Sequence, residues 1–94
     1  MYSPEAVDHL RNLSARDQAT ILDEAERKLS NEASVETRNR KPMRPNPVAP
    51  WELRVGTFRV YYEVTEEPEP AVFVLAIGIK DRDQVRIGGE VFKP

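Results

Sequence analysis

One stretch constrains the fold of this chain more than any other: WELRVGTFRVYYEV, Trp51 to Val64. Apolar side chains recur at every second position on both sides of Gly56–Thr57. Period two is the signature of a strand with one buried face. Glycine at the first central position suits a two-residue type II′ hairpin turn. That turn sets the register. Val55 pairs with Phe58, Leu53 with Val60 and Trp51 with Tyr62, and these six side chains form the core face. The other face sets Arg54 opposite Arg59 and Glu52 opposite Tyr61. Two like charges directly across a strand pair repel, so the hairpin raises a question about what anion faces them.

The flanking segments fill in an α+β layer architecture. SPEAVDHLRNL carries helix-start signals: Ser3 as N-cap, Pro4 at the first helical position and Glu5 at the positive end. Ala6, Leu10 and Leu13 form its apolar stripe. A second helix follows, with Ser14 and Asp17 as a capping pair and a stripe of Ala19, Leu22, Ala25 and Leu29, with Ile21 beside it. Short and closely joined, the two form a helical hairpin over about residues 3–31. Residues 33–50 contain Pro42, Pro45, Pro47 and Pro50, which exclude a regular helix and a central strand. They read as an extended basic linker. The antiparallel sheet spans about 51–79, ending in AVFVLAIGI, apolar enough for a central strand covered on both faces. TEEPEP is an acidic loop before it. The tail, 80–94, contains a Gly–Gly turn signal, and its structure is open. At 94 residues the chain fits a single domain, 1–94, with one modest core.

Charge is distributed unevenly. Residues 38–59 carry six cations and one anion, whereas residues 1–37 carry four and eight, and residues 60–94 four and seven. A basic block in a chain of net charge −2 points to an anionic partner for one face. Arg54 and Arg59 are the centre of that candidate site, because guanidinium groups fork onto phosphate and stay charged. Lys80 and Arg82 leave the third strand nearby. Arg38, Arg40, Lys41 and Arg44 extend the track in a form suited to backbone phosphates. Tyr61, on the arginine face, is either an ordinary strand residue or a platform for a base. The single histidine, His9, has the simplest reading of a surface or half-buried helix residue. With no cysteine there is neither a disulfide nor a thiolate metal site, and no constellation implies a metal or cofactor. No apolar run approaches a membrane span and no signal peptide is visible, which fits a cytoplasmic protein.

These residues resemble a known group. WELRVGTFRVYYEV followed by an apolar strand ending AIGIKDRDQVR is similar to the RelE/ParE superfamily of toxins from type II toxin–antitoxin systems. The resemblance runs from SPEAVDHL through the linker and hairpin to the third strand. It implies two N-terminal helices packed on a small antiparallel sheet, with a first strand shortened here to Met1–Tyr2 or missing, which leaves a sheet edge open. RelE-like members cut mRNA on the ribosome without a metal. ParE-like members poison DNA gyrase without enzymatic chemistry. Both are held inactive by a cognate antitoxin in a hetero-oligomer. On the nuclease reading, an mRNA interferase, Arg54, Arg59, Lys80 and Arg82 are the catalytic cations. Arg38, Arg40, Lys41, Arg44, Tyr61 and Arg86 contact RNA. Arg86 stands where many nuclease members have a late tyrosine, and Glu52 lies on the face that would hold phosphate. Inhibition of gyrase, and a toxin fold that only binds antitoxin or DNA, are the alternatives.

Overall fold

A computed structural model describes residues 1–93. Helix α1 (Pro4–Arg11) and helix α2 (Ala15–Leu29) precede six strands: β1 (Arg40–Pro42), β2 (Trp51–Val55), β3 (Phe58–Thr65), β4 (Ala71–Asp81), β5 (Gln84–Ile87) and β6 (Glu90–Phe92). The strands form one antiparallel meander in sequence order. Both helices lie on one face, α1 over β4 and α2 across β2 and β3.

The helices start where the caps require. Ser3 Oγ accepts from the amide of Ala6 at 3.1 Å, and Ser14 Oγ from that of Asp17 at 3.1 Å, each satisfying an otherwise open helix-end donor. The stripe of α2 is rotated from the expected one. Ile21, Ala25 and Leu29 are buried, whereas Ala19 is exposed and Leu22 is 41 % exposed. A strict i, i+4 ridge centred on Ile21 meets the sheet. Leu22 was the misleading residue, since apolar side chains on either side of the contact line look alike in sequence.

The hairpin has the expected register, including Arg54 opposite Arg59 and Glu52 opposite Tyr61. Gly56 has φ +58°, and Thr57 is not among the residues of positive φ, the pattern of a type II′ turn. The third expected strand is β4. Its pairing with β3 skips a residue between Tyr61–Ala76 and Tyr62–Val74, so Leu75 is an inserted bulge. The bulge shifts the alternation: Val72, Val74 and Ile77 pack beneath the helices, while Leu75 and Ala76 join a second cluster on the opposite face.

Cover on both faces of β4 is expected from its apolar run, but the segments that supply it on the second face are not. Met43, Val48 and Ala49 from the proline-rich segment fold over the far side of the sheet and pack with Tyr61, Ala76, Val85 and Phe92. The linker is therefore structured. It contributes β1 at the edge, where Pro42 costs no ladder bond to a further strand. Asn46 then ties the loop together. Its Nδ2 donates to the carbonyls of Arg44 (2.7 Å) and Ala49 (2.9 Å), and its Oδ1 accepts from the amides of Val48 (2.8 Å) and Ala49 (3.0 Å). The tail adds β5 and β6 through a turn at Gly88 (φ +58°) and Gly89 (φ +87°), a conformation open to glycine at little cost.

The open edge expected at the N-terminus is closed locally. The amide of Val74 donates to Met1 O (2.8 Å), and that of Ser3 to Val74 O (2.8 Å). Three residues further along β4, His9 Nδ1 accepts the amide of Ile77 at 3.1 Å. So Met1–Ser3 and the histidine of α1 occupy backbone groups of β4 that β5 does not reach. No described helix is long and apolar enough to cross a membrane.

Candidate functional site: a basic groove on the far face of the sheet

The meander carries alternate residues of β2, β3 and β4 to the face away from the helices. There they meet the proline-rich loop and the C-terminal segment. The result is a groove of 480 Å³, within the size range of ligand sites. Six cations line it: Lys41, Arg44, Arg54, Arg59, Lys80 and Lys93. One anion, Glu52, stands among them. Met43, Val85 and Phe92 supply apolar wall.

Glu52 answers the question raised by the arginine pair. It is 7 % exposed, and a carboxylate so buried needs charge partners. Arg54 Nε donates to its Oε1 at 3.1 Å, and Arg59 Nε lies 3.9 Å from the same oxygen. The carboxylate thus sits two register positions from the arginine pair, on the same face, and offsets their repulsion.

The two arginines differ in freedom. Arg59 is 11 % exposed along its side chain, and its Nη1 donates to the carbonyls of Gly56 (2.8 Å) and Phe58 (2.9 Å). Its backbone neighbour across the sheet is Gly78, where an added Cβ would lie 2.4 Å from Val85 Cγ1. Arg54 is half exposed and held by Glu52 alone among the described residues.

Tyr61 lies beneath the groove rather than on it. It is fully buried, edge-on to Phe92 at 5.7 Å between ring centres. No base can stack on this ring, contrary to the platform reading. Burial pushes its hydroxyl pKa far above the usual tyrosine value, and the adjacent Glu52 carboxylate pushes it further. Even so, the hydroxyl makes no well-formed hydrogen bond.

The remaining expected site residues divide sharply. Lys41 and Arg44 line the groove, with Lys41 Nζ 3.3 Å from Glu36 Oε2. Arg40 faces the helices instead. Its Nη1 donates to the carbonyls of Lys28 (2.6 Å) and Asn31 (3.1 Å), and its Nε to that of Val35 (3.1 Å). It closes the C-terminal end of α2, where a cation also suits the helix dipole. Arg38 is exposed and does not line the groove. Arg82 is exposed at the tip of the β4–β5 hairpin with φ +60°. Arg86 pairs with Ile79, which puts it on the helix side of the sheet, lining a separate cleft with His9 and Gly88. So the structure brings together Lys41, Arg44, Arg54, Arg59 and Lys80, and leaves Arg38, Arg40, Arg82 and Arg86 elsewhere. Lys93 and Asn46 escaped the sequence reading. Asn46 had a signal, a Pro-Asn-Pro turn composition, while Lys93 is recruited by a tail with no clear period. Among the described residues no group of acidic, histidine or cysteine side chains could hold a metal ion.

Comparisons with protein-family models, with curated proteins and with solved structures found no match to this chain.

Proposed function

We propose that this chain is a RelE-like toxin that cuts single-stranded mRNA in its basic groove, on the ribosome, and is neutralised by a cognate antitoxin. The observation that carries this reading is the convergence of Arg54, Arg59 and Lys80 with Lys41 and Arg44 in one groove. Supporting it are the two-helix, antiparallel-sheet architecture and the register of the hairpin.

The chemistry would be transesterification. The ribose 2′-oxygen bonds to the adjacent phosphorus as the bond from phosphorus to the 5′-oxygen breaks. Arg59, fixed by two carbonyls, is a preorganised donor for charge that develops on the phosphorane, and Lys80 and Arg54 add to it. Glu52 is the carboxylate within the groove that would accept the 2′-hydroxyl proton. Tyr61 has no access to do so. A cation at the rim, Lys80 or Lys93, returns a proton to the leaving oxygen. This assigns the catalytic cations to Arg54, Arg59 and Lys80, without Arg82.

The test is expression without antitoxin, with mapping of mRNA 5′ ends. New ends that vanish in Arg54→Ala/Lys80→Ala support the reading, and unaltered mRNA with unaffected growth overturns it. A second reading, a non-enzymatic inhibitor of DNA gyrase, is favoured by the two Arg59 bonds already spent on carbonyls and by Arg86 in the late tyrosine position. Loss of supercoiling activity with intact mRNA would select it.

A further inference from the structure

We propose that Glu52 is an internal counter-anion that an incoming phosphate displaces from Arg54, with the buried Tyr61 hydroxyl taking over the released carboxylate. The inference rests on the groove being an anion site, and not on RNA cleavage.

Three observations converge. Arg54 has a single partner and half of its side chain in solvent, so it can turn, whereas Arg59 is anchored at two carbonyls. Both arginine contacts of Glu52 fall on Oε1. Tyr61 Oη is the one buried side-chain polar atom without a well-formed hydrogen bond among the described residues, and the Glu52 carboxylate beside it is close enough to interact with it. A buried hydroxyl left unpaired is costly, so such an atom needs an explanation. A second arrangement supplies it. When Arg54 swings to a phosphate, Glu52 keeps Arg59, and its loose contact with the Tyr61 hydroxyl closes into a full hydrogen bond. In that second state every charge is paired and the Tyr61 hydroxyl is no longer left unpaired.

The consequence is selectivity. An anion that binds must replace an intramolecular carboxylate, which a free phosphate does poorly. A polynucleotide does it well, because its neighbouring phosphates engage Lys41, Arg44, Lys80 and Lys93 at the same time. The ligand class is therefore an extended single-stranded polyphosphodiester rather than a small phosphate metabolite.

The experiment measures binding of a 2′-deoxy oligothymidylate, which cannot be cleaved, and of inorganic phosphate, by the wild-type chain, Glu52→Gln and Tyr61→Phe. Glu52→Gln should bind the oligonucleotide about two- to fivefold more tightly, the scale of one lost competing ion pair. Its gain for phosphate should be at least as large. Tyr61→Phe should bind the oligonucleotide more weakly than wild type. Unchanged or weaker binding by a folded Glu52→Gln overturns the proposal. Should that variant not fold, the wild-type Arg side-chain Nε–H spectrum decides. A shift of the Arg54 signal on titration, with that of Arg59 in place, supports displacement, and a static Arg54 signal overturns it. If wild type cuts no RNA yet Glu52→Gln tightens binding, the nuclease reading fails and this one stands. If neither protein binds the oligonucleotide, both fail.

Discussion

The Nε–H of Arg54 donates to Oε1 of Glu52, two residues back on the same strand face, at 3.1 Å. Arg59, across the hairpin, reaches the same oxygen at 3.9 Å. The carboxylate therefore lets a core-determined register place two arginines opposite one another. It also explains why the groove keeps a buried anion inside a cationic wall.

Stability should separate the two arginines. Arg59→Ala strips the bonds to Gly56 and Phe58 and leaves Glu52 half paired, so it should cost about 1–3 kcal/mol. Arg54→Ala removes one half-exposed ion pair and should cost less than about 1 kcal/mol. Chemical denaturation of the two variants checks the order. For the same reason Arg54 and Lys80 are cleaner functional probes than Arg59.

Arg40 should behave as a structural residue. Its bonds to the carbonyl of Lys28 in the last turn of α2 and to those of Asn31 and Val35 in the segment that follows predict that Arg40→Ala costs about 1.5–3 kcal/mol, with no matching loss for Arg38→Ala. Thermal melts of both variants, together with oligonucleotide binding by Arg40→Ala under conditions where it is folded, test this. A large specific loss of binding by a stable Arg40→Ala would refute the assignment.

Gly78 is where the sheet tolerates no side chain. An added Cβ meets Val85 Cγ1 at 2.4 Å and Ile87 Cγ1 at 3.0 Å. Gly78→Ala should destabilise by about 1–3 kcal/mol through overpacking. Trimming the neighbour in Gly78→Ala/Val85→Ala should recover part of the overpacking strain, so the double variant should be less destabilised than the sum of the single ones. Additive losses would show that the clash is not the cause.

Alkaline pH should destabilise the fold. Burial raises the Tyr62 pKa to about 12 from the ordinary 10.0, with the nearby Arg40 charge opposing, and its hydroxyl donates to Ala33 O at 2.6 Å. Tyr61 is raised as well. The unfolded chain releases these protons first, so it binds fewer protons than the native chain above pH 10. Stability is then full below about pH 10 and falls as pH rises toward 12. Ultraviolet phenolate titration and melts across that window check the sign. Tyr62→Phe should shrink the pH dependence.

Much of this was legible in the sequence, and the reasons are local. The turn at Gly56–Thr57 dictates the hairpin register by itself, and Ser3 and Ser14 announce their helices. What stayed hidden depends on contacts distant in sequence. Three residues, Arg40–Pro42, are too few to show alternation, so β1 is visible only from its pairing with β2. Arg40 and Lys41 are adjacent cations, yet strand alternation sends one to the helices and the other to the groove. Arg86 was grouped with the groove cations, but its pairing with Ile79 turns it to the other face. Tyr61 was assigned the correct face, but the cover laid over that face by Met43, Val48 and Ala49 has no sequence signature.

The most direct test of the central claim is the salt dependence of single-stranded RNA binding, with cleavage blocked by 2′-deoxy substitution. It compares the wild-type chain, Lys41→Ala/Lys80→Ala and Arg82→Ala/Arg86→Ala. Each phosphate contact contributes about 0.7 to the slope of log affinity against log salt for single strands. The groove account predicts a slope lowered by about 1.4 and a large loss of affinity in the Lys41/Lys80 variant. It predicts near wild-type behaviour in the Arg82/Arg86 variant. Equal losses in both, or a loss confined to Arg82/Arg86, would contradict it.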